Sequence, residues 1–79
     1  MANGPLSKRR TLTVYRYLTG RDDAAFCHKV TQALSQGWLL YGPPSLTFDT
    51  VKGHAVCGQA VTKDADDLEY SAGMKLSEV

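Results

Sequence analysis

The first packed segment of the chain alternates apolar and polar residues with a period of two. Residues 11–18 are rich in β-branched and aromatic side chains, which is typical of a β-strand. The alternation predicts Leu12, Val14 and Leu18 on a face that packs in the core. The other face is predicted to carry threonine and tyrosine side chains, namely Thr11, Thr13, Tyr15 and Tyr17.

The next segment changes to helical spacing. Phe26, Val30 and Leu34 recur every four residues between about residues 23 and 36, and Cys27 and Ala33 widen this apolar stripe. Before it, Thr19 or Asp22 can cap the first free backbone N–H groups. Gly37 follows as the expected left-handed end of the helix.

Two further strands are predicted after the helix. Residues 38–41 form a short apolar run, Gly42-Pro43-Pro44 interrupts it, and residues 45–50 resume it. A loop over residues 51–54 leads to a last strand over residues 55–62. Gly58, inside this strand, predicts close packing of Trp38 or the helix above it.

The element order is therefore strand, helix, strand, strand. It predicts a small α+β fold, with an antiparallel or mixed sheet of three to four strands and one helix packed on one face. The helical crossover allows the first two strands to run parallel, and the tight loop makes the last two antiparallel. We expect a flexible basic arm over residues 1–10, a single domain over residues 11–63 and an acidic, mostly disordered tail over residues 64–79.

Particular dipeptides and spacings in residues 14–63 resemble a known family. Before the turn at Gly37 they are Tyr15-Arg16-Tyr17-Leu18-Thr19-Gly20, Asp22-Asp23, Phe26-Cys27-His28-Lys29-Val30 and Ala33-Leu34. From that turn onward they are Gly37-Trp38, Leu40-Tyr41-Gly42, Pro44, Leu46-Thr47-Phe48 and Cys57-Gly58-Gln59-Ala60-Val61. Together they resemble the small bacterial and phage proteins of the domain of unknown function 1737 family. The resemblance implies a fold close to the one predicted above, and it implies no catalytic or ligand-binding residue.

Composition excludes several classes of protein. The 79 residues are 43% hydrophobic and 22% charged, which is enough apolar material for a core and excludes a disordered chain. No apolar run approaches the roughly 18–20 residues that span a bilayer, so no membrane association is expected. Two cysteines are too few for a disulfide scaffold. No apolar stretch follows the basic N-terminal residues, so we expect a cytoplasmic protein with reduced thiols.

The apolar pattern predicts self-association. Residues 38–41 are apolar on both faces of their strand, which is typical of a strand buried on both faces. One helix covers only one face, so a second copy of the chain is the simplest cover for the other. We expect a non-enzymatic interaction or accessory module, a homodimer or a binder of another protein, whose candidate interface residues are Tyr15, Tyr17, Trp38 and Tyr41.

Nucleic-acid binding is the alternative hypothesis. The formal net charge is only +1, but residues 1–30 contain six basic and two acidic residues, a balance of +4. Residues 64–79 contain five acidic residues and one lysine, a balance of −4. In this alternative, the tyrosines stack on single-stranded bases. The candidate phosphate contacts are Lys8, Arg9, Arg10, Arg16 and Arg21.

A metal or thiol site is a third, weaker hypothesis. Cys27 and His28 are adjacent on the helix and diverge, and His54 and Cys57 are three residues apart near a strand. No Cys-x-x-Cys pair is present. The simpler interpretation places Cys27 in the core and Cys57 inside the sheet. We therefore predict no catalytic, cofactor-binding or metal-ligating residue, and no enzymatic activity.

Overall fold

The computed structural model describes residues 11–79, and they form an α+β fold in the predicted order. The strands are β1 (Thr11–Arg21), β2 (Leu39–Asp49) and β3 (His54–Asp66). The helix α1 (Ala24–Ser35) follows β1, and a short 3₁₀ turn (Leu76–Glu78) lies near the end of the chain. The arm predicted over residues 1–10 lies outside the described residues. Within residues 11–79, no helix is long and apolar enough to cross a membrane.

The sheet is antiparallel throughout, and β3 is its central strand. The strand order is β1-β3-β2, with Tyr17 paired to Ala60 on one side of β3 and Tyr41 paired to the same residue on the other. β1 and β2 therefore run in the same direction, as the helical crossover suggests, but they are not neighbours. The mixed sheet allowed by the sequence is not formed, because β3 inserts between the two strands.

Helix α1 begins and ends with local signals. The Asp23 side chain accepts a hydrogen bond from the backbone N–H of Phe26, which caps the first turn. The predicted cap, Thr19 or Asp22, is therefore wrong, because the helix begins later, at Ala24. Gly37 has a φ of +97°, the backbone conformation that reverses the chain after the helix. The backbone N–H of Trp38 still bonds to the carbonyl of Ala33 at 3.1 Å, so the Trp38 backbone stays attached to the helix end.

The core is small and lies between α1 and the β1 side of the sheet. Its buried side chains are Val14, Leu18, Ala33, Trp38 and Val61. Phe26 and Val30 pack against this cluster, as the helical spacing predicts. Leu34 differs from the prediction, because it is 38% exposed while its neighbour Ala33 is buried. The helix therefore presents a stripe centred on Phe26, Val30 and Ala33 to the sheet.

β2 is one strand with an irregularity, not two separate runs. Gly42, Pro43 and Pro44 lie between Tyr41 and Ser45, whereas only Gln59 separates the paired residues on β3. The Gln59 side chain donates a hydrogen bond of 3.1 Å to the carbonyl of Gly42 and so bridges the bulge. A proline pair is tolerated here because β2 is an edge strand.

The chain beyond residue 63 packs against the domain. β3 continues to Asp66, and Leu68, Leu76 and Val79 contact the core cluster. The ammonium group of Lys63 donates a hydrogen bond of 2.7 Å to the backbone carbonyl of Val79. A few widely spaced apolar residues therefore place part of the predicted tail, residues 64–79, against the core.

Candidate interaction surface

The sheet face that α1 does not cover carries two rows of side chains. Strand alternation separates it from the core side: the odd-numbered residues of β1 are exposed, whereas Val14 and Leu18 are buried. One row is Tyr17, Ala60 and Tyr41, and the next is Tyr15, Thr62 and Leu39. We call the surface formed by these two rows, with Gly58 and Ser45 beside them, the open face.

The large side chains of the open face are well exposed. Tyr15 and Tyr17 are 52% and 49% exposed, and Tyr41 and Leu39 are 65% and 67% exposed. Between them, the central strand contributes only small residues. Each row therefore has a large side chain on β1, a small one on β3 and a large one on β2. This makes a contiguous aromatic and apolar patch on the surface of residues 11–79.

Tyr17 is held in place across the central strand. Its hydroxyl shares a hydrogen bond of 2.7 Å with the hydroxyl of Ser45 on β2. To reach Ser45, the ring passes over Gly58, and a Cβ added at Gly58 would overlap the end of the Tyr17 ring. The close approach that Gly58 predicts is therefore real, but the residue above it is Tyr17 on the open face, not Trp38 or the helix.

The face also has an acidic end. The hydroxyl of Thr13 donates a hydrogen bond of 2.6 Å to Asp64, and that of Thr11 donates one of 3.2 Å to Asp66. Both carboxylates lie at the same end of the sheet, beyond the tyrosine rows. The nucleic-acid hypothesis requires this surface to attract phosphate, whereas the two carboxylates add negative charge that repels it.

Trp38 lies on the opposite side of the sheet from the other three candidate interface residues. Its side chain is 0% exposed and belongs to the core, because its backbone is still bonded to the end of α1. Two cations lie over its indole ring: the Arg16 guanidinium carbon at 5.1 Å from the centroid and the Lys63 ammonium nitrogen at 5.8 Å. Trp38 therefore supports the sheet and does not contribute to the open face.

The two candidate phosphate contacts that the structure describes, Arg16 and Arg21, do not lie beside the tyrosine rows. Arg16 points to the helix side, because it alternates with Tyr15 and Tyr17 along β1. Arg21 shares the side of the tyrosines but lies at the far end of β1, paired with Val56. Lys8, Arg9 and Arg10 lie outside the described residues.

The cysteines and histidines do not assemble into a site. Cys27 is exposed on α1, which differs from the expected core position, and Cys57 is half-buried on β3. Burial, and secondarily the nearby carboxylate of Asp22, raises the pKa of the Cys57 thiol above its ordinary value. Across residues 11–79, no group of three or more potential metal-ligating His, Cys, Asp or Glu side chains occurs.

The candidate interface residues include the three tyrosines of the open face but not its other five residues, among them Leu39, Ser45 and Gly58. Leu39 belongs to the predicted apolar run but not to the predicted interface. Ser45 and Gly58 belong to the open face because the Tyr17 side chain contacts them. The signal for Leu39 is the same alternation that selects Tyr41 two residues later. The role of Ser45 has no sequence signal, since it depends on the register across β3.

A comparison with known protein families matches a part of the chain that includes nearly all of the three strands that build the open face. Residues 12–64 match the sequence profile of a domain of unknown function (DUF1737). The chain belongs to this family. The match confirms the resemblance that the dipeptides of residues 14–63 indicate. Because DUF1737 is a domain of unknown function, the match assigns no activity to the chain. No curated protein and no solved structure matches this DUF1737 chain.

Proposed function

We propose that the protein is a non-enzymatic interaction module that self-associates through its open face. The observation that carries the proposal is the pair of rows led by Tyr15, Tyr17, Leu39 and Tyr41, in which every large side chain is about half exposed or more. The five buried apolar residues found within residues 11–79 add a reason, because chains of this size rarely obtain much stability from their own core. A second copy would supply the missing layer on the uncovered face.

The open face has enough area to form the centre of an interface. An aromatic side chain buries about 150–250 Å² in total, so each tyrosine retains about 100 Å² to bury. With Leu39, the rows supply on the order of 400 Å² per subunit, where a stable interface buries about 800 Å² per partner. The threonines that surround the tyrosines on the same face supply a polar rim.

A two-fold arrangement suits the charges of this face. Asp64 and Asp66 lie at one end, so two copies with their strands in the same direction would bring four carboxylates together. A two-fold axis perpendicular to the strands places opposite ends against each other. This arrangement keeps the carboxylates apart and sets the tyrosine rows of one copy on those of the other.

The proposal assigns no catalytic role to the cysteines. The raised pKa of Cys57 decreases the fraction of thiolate at neutral pH, and the thiolate is the nucleophile. Cys27 is exposed on α1, on the other side of the sheet from the tyrosine rows. The feature that the chain offers to a partner is therefore a surface.

Aspartate substitutions on the open face test the proposal. We expect Tyr15→Asp and Tyr41→Asp to convert the protein to monomer, because each buries an unpaired carboxylate at the centre of the interface. Tyr70→Asp is the matched control, since Tyr70 is 64% exposed in the C-terminal segment, outside the tyrosine rows. Sedimentation of the three variants measures the mass. A parent protein that is itself monomeric, or open-face variants that assemble as well as Tyr70→Asp, would contradict the proposal.

Single-stranded nucleic acid binding is the second candidate function, and the exposed rings of Tyr15, Tyr17 and Tyr41 favour it as stacking platforms. The carboxylates of Asp64 and Asp66 on the same side of the sheet, and the placement of Arg16 on the other side, weaken it. A titration with single-stranded RNA and DNA distinguishes the two functions. Binding that weakens steeply with salt and is lost in Tyr15→Asp would favour nucleic acid.

A further inference from the structure

A polar cleft lies on the helix side of the molecule, away from the open face. It has a volume of about 270 Å³ and lies between β1, α1 and the 3₁₀ turn. Its lining residues are Arg16 from β1, Lys29, Gln32, Ala33 and Gln36 from α1, and Ser77 from the 3₁₀ turn. The four helical residues occupy positions i, i+3, i+4 and i+7 of α1, so they form one stripe along the helix.

The charge of the cleft is positive. Arg16 and Lys29 line it, and no acidic residue is among the lining side chains. Lys29 is fixed there, because its ammonium group donates a hydrogen bond of 2.7 Å to the backbone carbonyl of Thr19. Glutamine amides and the hydroxyl of Ser77 add further hydrogen-bond donors around the two cations.

Arg16 is a positioned cation that has no anionic partner among residues 11–79. Its guanidinium is held over the ring of Trp38 at 5.1 Å, and the residue is half-buried. Among residues 11–79, no side chain forms an ion pair with Arg16, and no hydrogen bond occupies its N–H groups. A planar guanidinium fixed on an aromatic ring keeps its donors arranged for a tetrahedral oxyanion.

We propose that this cleft binds a small phosphate monoester. Arg16 would donate two parallel hydrogen bonds to the phosphate oxygens, and Lys29 would supply the second positive charge. The volume of the cleft holds a phosphate with a small organic group and is below that of most sites for drug-sized ligands. The glutamines and Ser77 would then contact the organic group or the remaining oxygen.

Binding in this cleft links the end of the chain to the helix. Ser77 lies between Leu76 and Val79, which pack against the core, and Lys63 bonds to the carbonyls of both Gln36 and Val79. A phosphate in contact with Ser77 and α1 would therefore hold the C-terminal segment on the helix. The inference is independent of self-association, because the open face is on the other side of the sheet.

The single tryptophan reports on the cleft directly. Trp38 is the only tryptophan and lies under Arg16, so a phosphate on Arg16 changes the field at the indole ring. We expect inorganic phosphate and glycerol phosphate to change the emission of Trp38 in a saturable way, in the full chain at ionic strength held constant with sodium chloride. A change no larger than that caused by chloride alone would overturn the proposal.

Substitutions in the cleft complete the test. We expect Arg16→Gln and Lys29→Gln each to weaken phosphate binding at least tenfold, measured by calorimetry, and Arg21→Gln to leave it unchanged. Lys29 is held by the carbonyl of Thr19, whereas Arg16 packs on Trp38 of the core, so Lys29→Gln keeps the test valid if Arg16→Gln fails to fold. Equal affinity in Lys29→Gln and Arg21→Gln would contradict the site. Binding of a single-stranded oligonucleotide without binding of either small phosphate would also contradict it, because the phosphate would then belong to a nucleic-acid backbone.

Discussion

Tyr17 and Gly58 determine the shape of the open face through one contact. The Tyr17 ring crosses the central strand at the only position there without a side chain, and its hydroxyl meets Ser45 on the far strand. Glycine usually weakens the interior of a strand, because it packs no side chain and loses much backbone entropy. Here the absence of a side chain is what allows a tyrosine to lie flat across β3.

We predict that Gly58→Ala destabilises the protein through Tyr17. The new methyl group displaces the Tyr17 ring and breaks its hydrogen bond to Ser45, at a cost of about 0.5–1.5 kcal/mol in the free energy of unfolding. Urea unfolding measures this cost. In a Tyr17→Ala background the methyl group meets no ring, and the cost should disappear. The same cost in both backgrounds would show that Gly58 is needed for another reason.

Asp49 makes the β2–β3 hairpin sensitive to acid. Its carboxylate accepts hydrogen bonds from the backbone N–H groups of Val51 and Lys52, at 2.9 and 3.0 Å. The bond from Lys52 is the main cause that lowers the pKa of Asp49 below its ordinary value of 3.8. A carboxyl group whose pKa is lower in the folded state stabilises the fold above its unfolded-state pKa. That stabilisation is lost as the pH falls through the folded-state pKa.

The prediction for Asp49 is a loss of stability on acidification that Asp49→Asn reduces. The free energy of unfolding should fall between about pH 6 and pH 3 by less in the variant, because asparagine keeps the turn without the titrating charge. Denaturant unfolding at several pH values measures the difference. Parallel curves for the two proteins would mean that the turn does not discriminate between the charged and the neutral carboxyl group.

Local elements follow from the sequence, and the order of the strands does not. The turn at Gly37 and the loop at Gly53 are set by residues within a few positions of each other, and the helix cap falls at Asp23, one residue after the predicted Asp22. The central position of β3 depends on pairing between Tyr17 and Ala60, far apart in the chain, so no local signal marks it. The two tyrosines of β1 were predictable as one face, whereas their contact with β2 through Ser45 was not.

The position of Trp38 shows the same limit at the level of an element. Alternation within residues 38–41 places Trp38 and Leu40 on one side, and both do lie on the helix side of the sheet. Trp38 does not join the tyrosines of the open face, because the Gly37 turn leaves the Trp38 backbone bonded to the end of α1. Leu68, Leu76 and Val79 were missed for a different reason, because a sparse apolar pattern has no period.

The turn at Gly37 therefore positions the core tryptophan, and its backbone should not tolerate a side chain. At a φ of +97°, we expect Gly37→Ala to cost roughly 1–2 kcal/mol in the free energy of unfolding. Gly73→Ala is the matched control, because a Cβ at Gly73 meets no atom within 4 Å and its φ is not positive. Thermal unfolding of both variants compares them. Equal melting temperatures would show that the turn relaxes without strain.

At the scale of the whole molecule, the helix and the C-terminal segment of residues 11–79 cover one side of the sheet and leave the other side open. Helix α1 and the C-terminal segment pack on the side of Val14, Leu18 and Trp38. The other side presents the tyrosine rows, and the phosphate cleft proposed above lies behind the sheet. The self-association that we propose would bury the open face and leave the cleft accessible, so each copy in a dimer would retain its own cleft.

The mass of the protein in solution, by light scattering at low and at high salt, tests the central claim most directly. We expect twice the 8.6 kDa of one chain at both salt concentrations, because an interface of tyrosine and leucine side chains is hydrophobic and little screened by salt. A mass of 8.6 kDa at both concentrations would contradict self-association through the open face. It would leave the tyrosine rows exposed to solvent in the isolated protein.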